Sequence, residues 1–160
     1  MLTYEQARAL FVYDPITGVL TNRVTRCATS QVGDVAGTLE KNGRRRVNVD
    51  HTIYLVHRVI WLYMTGAWPN EVIDHIDGDP TNNAWENLRD VPMSVNMQNQ
   101  KRHQKNNKVG LMGVDAHNGR WRAQIVINYT KKYLGMFDTP EEAHQTYLDA
   151  KRKYHAGCTI

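Results

Sequence analysis

The sequence predicts an α+β protein made of two small folds, and three observations indicate this class. Residues 72–104 follow a strand, loop, strand and helix order, which predicts a ββα unit. Residues 110–157 hold three strand patterns and one amphipathic helix, which predict a three-stranded antiparallel sheet packed on that helix. The segment 105–109 between them is basic and lacks apolar periodicity. With 160 residues, 41% of them apolar, the chain can form two modest cores.

The N-terminal part predicts one helix and several short strands. The helix, over residues 3–13, begins at Thr3, because Gln6 three positions later completes the pattern of a capping box. Turn residues follow at 14–18. Strands are predicted at 19–24, 44–50 and 52–55, with Gly-rich loops over 25–43.

Residues 56–65 predict a second helix, with apolar side chains on almost every face and hence buried. Gly66 ends this helix, and Pro69 follows. His57 lies on the helix. We interpret it as a buried core histidine rather than a site residue, because one imidazole without a partner is a weak signal.

The ββα pattern comes next. Residues 72–76 predict a strand rich in β-branched side chains, and 77–83 are a turn-rich loop. Residues 87–91 predict the second strand, which Pro92 ends. A polar helix is predicted over residues 94–104.

The C-terminal part begins with a strand at residue 113, and Asn118-Gly119 is a hairpin signal before the second strand, 120–127. A third strand follows over 131–137. Thr139-Pro140 predicts the start of a helix that ends at Gly157. The second strand alternates, with Trp121, Ala123, Ile125 and Ile127 on one face and Arg120, Arg122 and Gln124 on the other. We interpret Trp121 as a core residue.

Charge and cysteine content narrow the class of protein. Residues 101–132 hold eight basic residues against one acidic residue, Asp115. Because aromatic residues are interleaved, we expect a polyanionic partner, although a merely solvated face remains the alternative. Cys27 and Cys158 are far apart, which argues against a disulfide scaffold or a cysteine-built zinc site. No signal peptide or bilayer-spanning segment is predicted.

Residues 74–99 concentrate the side chains that phosphodiester hydrolysis needs. His75 is a natural general base near neutral pH. The Asp74 carboxylate and the Asn96 amide oxygen suit a hard cation, Mg²⁺ or Mn²⁺, better than zinc. Asn87 is placed to fix the tautomer of His75. Composition alone leaves open the alternative of a polar loop without a catalytic role.

The segments DHIDGD, NN and NLRDV, followed by Asn-x-x-Asn, resemble the HNH endonuclease family, in particular its phage and intron (homing-type) members. Upstream, FVYDPITGVL, GDVAG and YLVHRVIWLYMTGAWP resemble the usual N-terminal region of those proteins. The resemblance covers about residues 1–104 and implies an HNH nuclease domain there, with a ββα-metal core over about 72–104.

The resemblance also implies roles for four residues. Asp74 and Asn96 would bind one divalent metal ion, Mg²⁺ or Mn²⁺, and His75 would be the general base. Asn87 would orient His75. Asn96 stands where many relatives have His, which weakens the expected metal preference.

The C-terminal segments GRWRAQI and KKYLGMFDTPEEAHQTYLDAKRKY are similar to the plant ethylene-response-factor (Apetala-type) DNA-binding domain. The similarity implies a DNA-binding domain over 110–160, after a linker over 105–109. Met112, Asp115 and Val126 stand where plant members often carry arginine, so base specificity does not transfer.

Two sets of residues are predicted to contact DNA. In the nuclease part they are Arg44, Arg45, Arg46, Arg89, Lys101 and Arg102. In the C-terminal part they are His117, Arg120, Arg122, Gln124, Lys131 and Tyr133. For Arg44–Arg46, the alternative is that they keep a strand edge soluble.

We therefore predict a metal-dependent HNH endonuclease of the homing type, which nicks or cleaves a specific site in double-stranded DNA by hydrolysis. Its location is predicted to be cytoplasmic, in the host cell if the gene is phage-encoded, without a membrane partner. A monomer is favoured. The alternative function is a non-cleaving DNA-binding transcriptional regulator that keeps the scaffold. A weaker alternative is a nuclease acting on RNA or structured DNA.

Overall fold

The computed structural model describes residues 1–101, 103 and 107–159. Its contacts divide the chain into two compact units, Met1–Met93 and Ser94–Ile160. Both units combine helices with small sheets, so the predicted α+β class is confirmed. The predicted domain bounds, 1–104 and 110–160, stay a prediction. Arg102 and residues 105–106 of the predicted linker lie outside the described residues.

The first unit packs two helices against small antiparallel sheets. Its helices are α1 (Tyr4–Leu10) and α2 (Val56–Thr65). Its strands are β1 (Phe11–Tyr13), β2 (Leu20–Asn22), β3 (Thr38–Leu39), β4 (Arg45–Val49), β5 (Thr52–Leu55), β6 (Val72–His75) and β7 (Leu88–Val91). The strands pair as β1-β2, β3-β4-β5 and β6-β7.

The two helices test the N-terminal predictions. The capping box of Thr3 and Gln6 is confirmed, as are both ends of α2 with the left-handed Gly66 after it. The prediction that α1 continues to residue 13 is wrong, because Phe11–Tyr13 form β1 instead. Pairing with β2 buries Phe11 and Tyr13, and this tertiary gain outweighs one more helical turn.

The core of the first unit forms around α2. Val59 and Ile60 are fully buried there, with Val47 from β4 and Leu20 from β2. The hairpin of β6 and β7 joins this core through Ile73. Among the described residues, no helix is both long and apolar enough to cross a bilayer.

The second unit contains the predicted three-stranded sheet and helix. Its elements are α3 (Met93–Gln98), which starts at the unit boundary, β8 (Val114–His117), β9 (Arg120–Ile127), β10 (Thr130–Phe137) and α4 (Pro140–Tyr154). The sheet is antiparallel in the order β10-β9-β8. Ala123 and Ile125 on β9 are buried, as is Ala143 on α4, so the predicted inward face is confirmed.

The end of α3 is held by the C-terminal residues of the second unit. Lys151 on α4 is 1% exposed, and its Nζ donates to the Gln100 carbonyl. Gly157 N donates to Gln98 Oε1 over 3.1 Å. The helix predicted over 94–104 ends at Gln98. No local pattern in the sequence indicates these contacts, which join residues more than fifty positions apart.

Substitution of Gly113 should destabilise the second unit more than substitution of Gly110. Both have positive φ, +72° and +78°, so alanine costs about 1 kcal/mol at either position. A Cβ at Gly113 would lie 2.0 Å from the ring of Tyr147, whereas nothing lies within 4 Å of one at Gly110. We therefore expect overpacking in Gly113→Ala to lower the free energy of unfolding by about a further 1–3 kcal/mol.

Urea denaturation, monitored by tryptophan fluorescence, measures the free energy of unfolding of both variants. Gly110→Ala is the control for backbone strain alone. Equal free energies of unfolding for the two variants would contradict the close packing of Gly113 on Tyr147.

Candidate active site

Asp74 and Arg89 form a partly buried ion pair across β6 and β7. They are direct partners in the antiparallel register, so their side chains leave the same face. Arg89 Nε and Nη2 both donate to Asp74 Oδ2, over 2.9 and 2.7 Å. Asp74 is only 5% exposed. Because an unpaired buried carboxylate is costly, the ion pair with Arg89 offsets the burial of Asp74.

His75 is the last residue of β6 and is also buried. Its Nε2 lies 3.0 Å from Asn83 Oδ1. Its carbonyl accepts a hydrogen bond from Gly78 N, which starts the loop between the strands. Asp74 and His75 are therefore consecutive residues at the end of β6, where the strand meets the loop.

The ring of His57, on α2, packs edge-on against the ring of His75. Their centroids are 5.3 Å apart, with an interplanar angle of 86°. Burial, with the nearby charges of His75, Arg44 and Arg58, lowers the pKa of His57 to about 3. His57 is thus the buried histidine that was predicted, but it also contacts a candidate catalytic side chain. No local pattern in the sequence indicates this contact, because eighteen positions separate the two residues.

The side chain of Asn87 holds the loop between β6 and β7. Its Nδ2 donates to Asp77 Oδ1 and to the Asn82 carbonyl, over 2.9 and 2.7 Å. Its Oδ1 accepts from Asp77 N over 2.9 Å. Burial acts to raise the pKa of Asp77, but hydrogen bonds from Asp79, Asn82 and Asn87 lower it. That Asn87 orients His75 stays a prediction.

Asn83 is a site residue to which the sequence alone assigns no role. It belongs to the Asn-Asn motif, and its amide oxygen is the one that contacts His75 Nε2. The motif was the available signal. It could not show which of the two asparagines turns toward the histidine.

The proposed metal ligands fit a hard cation by their chemistry. Asp74 has a carboxylate, and Asn96, on α3, has an amide oxygen, and both are groups that Mg²⁺ and Mn²⁺ prefer. Within residues 1–101, 103 and 107–159, no three His, Cys, Asp or Glu side chains are grouped to hold a metal ion. That Asp74 and Asn96 bind one ion stays a prediction. The described cysteines are free thiols.

The arginines of β4 have local partners. Arg45 Nη1 donates to the Gly37 carbonyl over 2.9 Å, and Arg46 pairs with Glu40 at 3.0 Å. Arg44 is exposed. Their contacts with DNA stay predictions, and the same applies to Arg89, whose guanidinium lies on Asp74, and to the exposed Lys101.

On the outward face of the second unit, Asp115 gathers two predicted DNA contacts. It accepts from Arg122 Nε and Nη2 over 3.2 and 2.6 Å, and from Gln124 Nε2 over 3.2 Å. The hydrogen bond to Asp115 raises the pKa of Arg122. Arg120 pairs instead with Asp138. His117, Lys131 and Tyr133 are exposed on the same sheet.

Residues 54–98, which include this site, match a family described as HNH endonuclease. The match supports a DNA-cleaving hydrolase. It ends at residue 98, so the assignment of residues 110–160 to the ethylene-response-factor type stays a prediction. A search of curated proteins found no match.

A solved structure is also similar, described as "DNA binding and cleavage by the HNH homing endonuclease I-HmuI". The two chains are 24% identical over the alignment, with a TM-score of 0.40. The alignment covers 56% of this chain and 51% of the other. The chain therefore aligns with about half the length of that protein.

The free energy of unfolding should fall as pH drops from about 6.5 toward 4.5, in part through His57. In the folded chain the pKa of His57 is lowered from its ordinary value of 6.5 to about 3. The unfolded chain therefore binds more protons in this window, and stability rises with pH. One such group contributes a slope of at most about 1.4 kcal/mol per pH unit.

His57→Gln should flatten this slope, as measured by urea denaturation at a series of pH values. His117→Gln is the matched control, because His117 is exposed, and it should keep the wild-type slope. A wild-type slope in His57→Gln would show that His57 does not contribute.

Proposed function

We propose that the chain is a metal-dependent HNH endonuclease that cleaves or nicks a specific site in double-stranded DNA. The observation that carries the proposal is that Asp74 and His75, consecutive residues at the end of β6, are both buried within the segment that matches the HNH family. Asp74 forms an ion pair with Arg89, and His75 contacts Asn83. A general base and an oxygen ligand at one strand end are the groups that phosphodiester hydrolysis needs.

In this proposal His75 takes the proton from the water that attacks the scissile phosphate. His57 stays uncharged at neutral pH, since its pKa is about 3, and adds no positive charge that would oppose proton uptake. Asn87 keeps the loop after His75 in place through Asp77. Asp74 and Asn96 are the proposed ligands of one Mg²⁺ or Mn²⁺ ion. When bound, such an ion would stabilise the charge that develops on the phosphate and the leaving oxygen.

The second unit is proposed to select the DNA site through the outward face of its sheet. Arg122 and Gln124 carry base-reading donors, and Lys131 carries a phosphate-binding charge. Asp115 holds the Arg122 guanidinium through Nε and Nη2. These two hydrogen bonds orient the guanidinium of Arg122, so the direction of its terminal edge, with Nη1, is set by the contact with Asp115. A single cutting site would nick one strand per engagement, and a homing role in the cytoplasm of a phage host is part of the same proposal.

Metal removal and loss of His75 should each abolish cutting. Supercoiled plasmid or phage DNA incubated with the chain should be nicked or linearised with Mg²⁺ or Mn²⁺ and left intact with EDTA. His75→Ala should stop cleavage and keep DNA affinity within a few-fold, because the base acts on the reaction and not on binding. His51→Asn, at an exposed turn with φ +61°, is the control and should cut normally.

An agarose gel that separates supercoiled, nicked and linear forms is the measurement. Metal-dependent cutting by His75→Ala would remove His75 as the base. Tight DNA binding by wild type, without cutting under any metal, would favour the non-cleaving regulator.

Arg122→Ala should weaken binding to a preferred DNA, selected by the chain from a random pool, by about 1–3 kcal/mol if it contacts a base edge. Arg152→Ala removes the same charge from an exposed ion pair on α4 and serves as the control. Fluorescence anisotropy with the preferred and a scrambled duplex gives both affinities. Equal, sequence-independent losses in the two variants would leave Arg122 with no part in specificity.

A further inference from the structure

We infer that Asn83 is a positioning residue that fixes His75 in the tautomer with the proton on Nε2 and the basic lone pair on Nδ1. The inference deepens the proposed function, on which its catalytic consequence rests. Nothing in the sequence motif assigns this role, and the structure places it on Asn83 through one buried contact of 3.0 Å.

The orientation of the Asn83 amide follows from its two contacts. Its Nδ2 donates to the Thr81 carbonyl over 3.5 Å, so its Oδ1 is the atom that faces His75 Nε2. An amide oxygen only accepts hydrogen bonds. Nε2 must therefore be the donor, and in a neutral imidazole the other nitrogen, Nδ1, is then the acceptor.

The same contact fixes the plane of the His75 ring. Rotation of the ring by half a turn about Cβ–Cγ would exchange Nε2 with Cε1 and forfeit the bond to Asn83. Both side chains are buried, at 6% exposure each, so a lost partner there would leave the Asn83 oxygen unsatisfied. The ring of His57 packs edge-on at 5.3 Å and limits the space for other orientations.

The backbone of Asn83 is held by the hairpin of β1 and β2. The Tyr13 hydroxyl donates to the Asn83 carbonyl over 2.8 Å, in a buried contact between residues 70 positions apart. Burial, with the charge of Asp14, raises the pKa of Tyr13, so the hydroxyl stays protonated as a donor. Next to Asn83, Trp85 N donates to the Pro15 carbonyl over 2.9 Å.

Gly18 lies where the turn between β1 and β2 contacts the segment of Asn83. The hairpin turn passes so close to the Asn83–Ala84 peptide that a Cβ at Gly18 would lie 2.3 Å from Ala84 N. Gly18 also has φ +72°, which disfavours any side chain there. The N-terminal hairpin thus supports the candidate base through Asn83, although it supplies no reacting group itself.

The test measures the tautomer of His75 directly in the chain of 160 residues. A long-range ¹H–¹⁵N spectrum distinguishes protonated from unprotonated ring nitrogens, and the His75 signals are those lost in His75→Gln. We expect wild type at slightly alkaline pH to carry the proton on Nε2. Asn83→Asp, which keeps an acceptor oxygen, should retain this pattern. Asn83→Leu, of similar size without an acceptor, should give a mixture of tautomers.

Cleavage kinetics test the effect of the Asn83 contact on the reaction rate. Asn83→Leu should lower the single-turnover rate by about 10- to 100-fold, the range seen when a metal-bound histidine loses the partner that orients its ring, and leave DNA affinity within a few-fold. Asn83→Asp should recover part of the rate. Asn70→Leu, at an exposed position, is the matched control and should cut at the wild-type rate. If Asn83→Leu does not fold, Tyr13→Phe replaces it in the same measurements, because it removes only the hydroxyl that holds the Asn83 carbonyl.

The outcomes separate the two proposals. A wild-type ring protonated on Nδ1, or tautomers unchanged in folded Asn83→Leu, would overturn the inference whatever the cleavage assay gives. A wild-type ring protonated on Nε2 in a chain that never cuts DNA would support the tautomer assignment and overturn the proposed function. An unchanged cleavage rate in Asn83→Leu, with the tautomers mixed, would overturn the positioning role alone.

Discussion

The pairing of β6 with β7 is the constraint on which the candidate active site depends. It sets Asp74 opposite Arg89 and closes the loop after His75, where Ile76 N donates to the Asn87 carbonyl over 2.9 Å. Partners in an antiparallel pair share a face, so carboxylate and guanidinium meet without distortion of either strand. A slip of one residue would send the two charges to opposite faces and leave a buried carboxylate unpaired.

The candidate active site is buried, and the cost of removing each of three polar groups from water is offset in a different way. Asp74 is compensated by an ion pair, His75 by an amide oxygen, and His57 by remaining neutral. Such groups are costly unless satisfied, so the partners are as necessary to the fold as to any reaction. The hairpin of β1 and β2 reaches this network through Tyr13, which links the N-terminal part of the first unit to the site.

Local patterns predicted much of the fold. The capping box at Thr3, the ends of α2, the limits of β9 and the Thr139 cap of α4 follow from residues within a few positions of each other, and all are confirmed. The errors have a different origin. Phe11–Tyr13 became a strand because β2 offered pairing and burial, and α3 ended early at Gln98. Neither the burial of Lys151 nor the capture of Arg122 by Asp115 has a local signature.

The sequence by itself predicted the kind of chemistry, because the residue types and spacing of Asp74, His75 and Asn87 indicate an oxygen ligand, a base and a supporting amide. It also determined the second sheet, since alternation along β9 separates an apolar face from a polar one. Only the tertiary structure decided which atoms meet. Asn83, rather than Asn87, contacts His75 Nε2, and His57 lies beside it, because these contacts depend on how distant segments pack and not on distance along the chain.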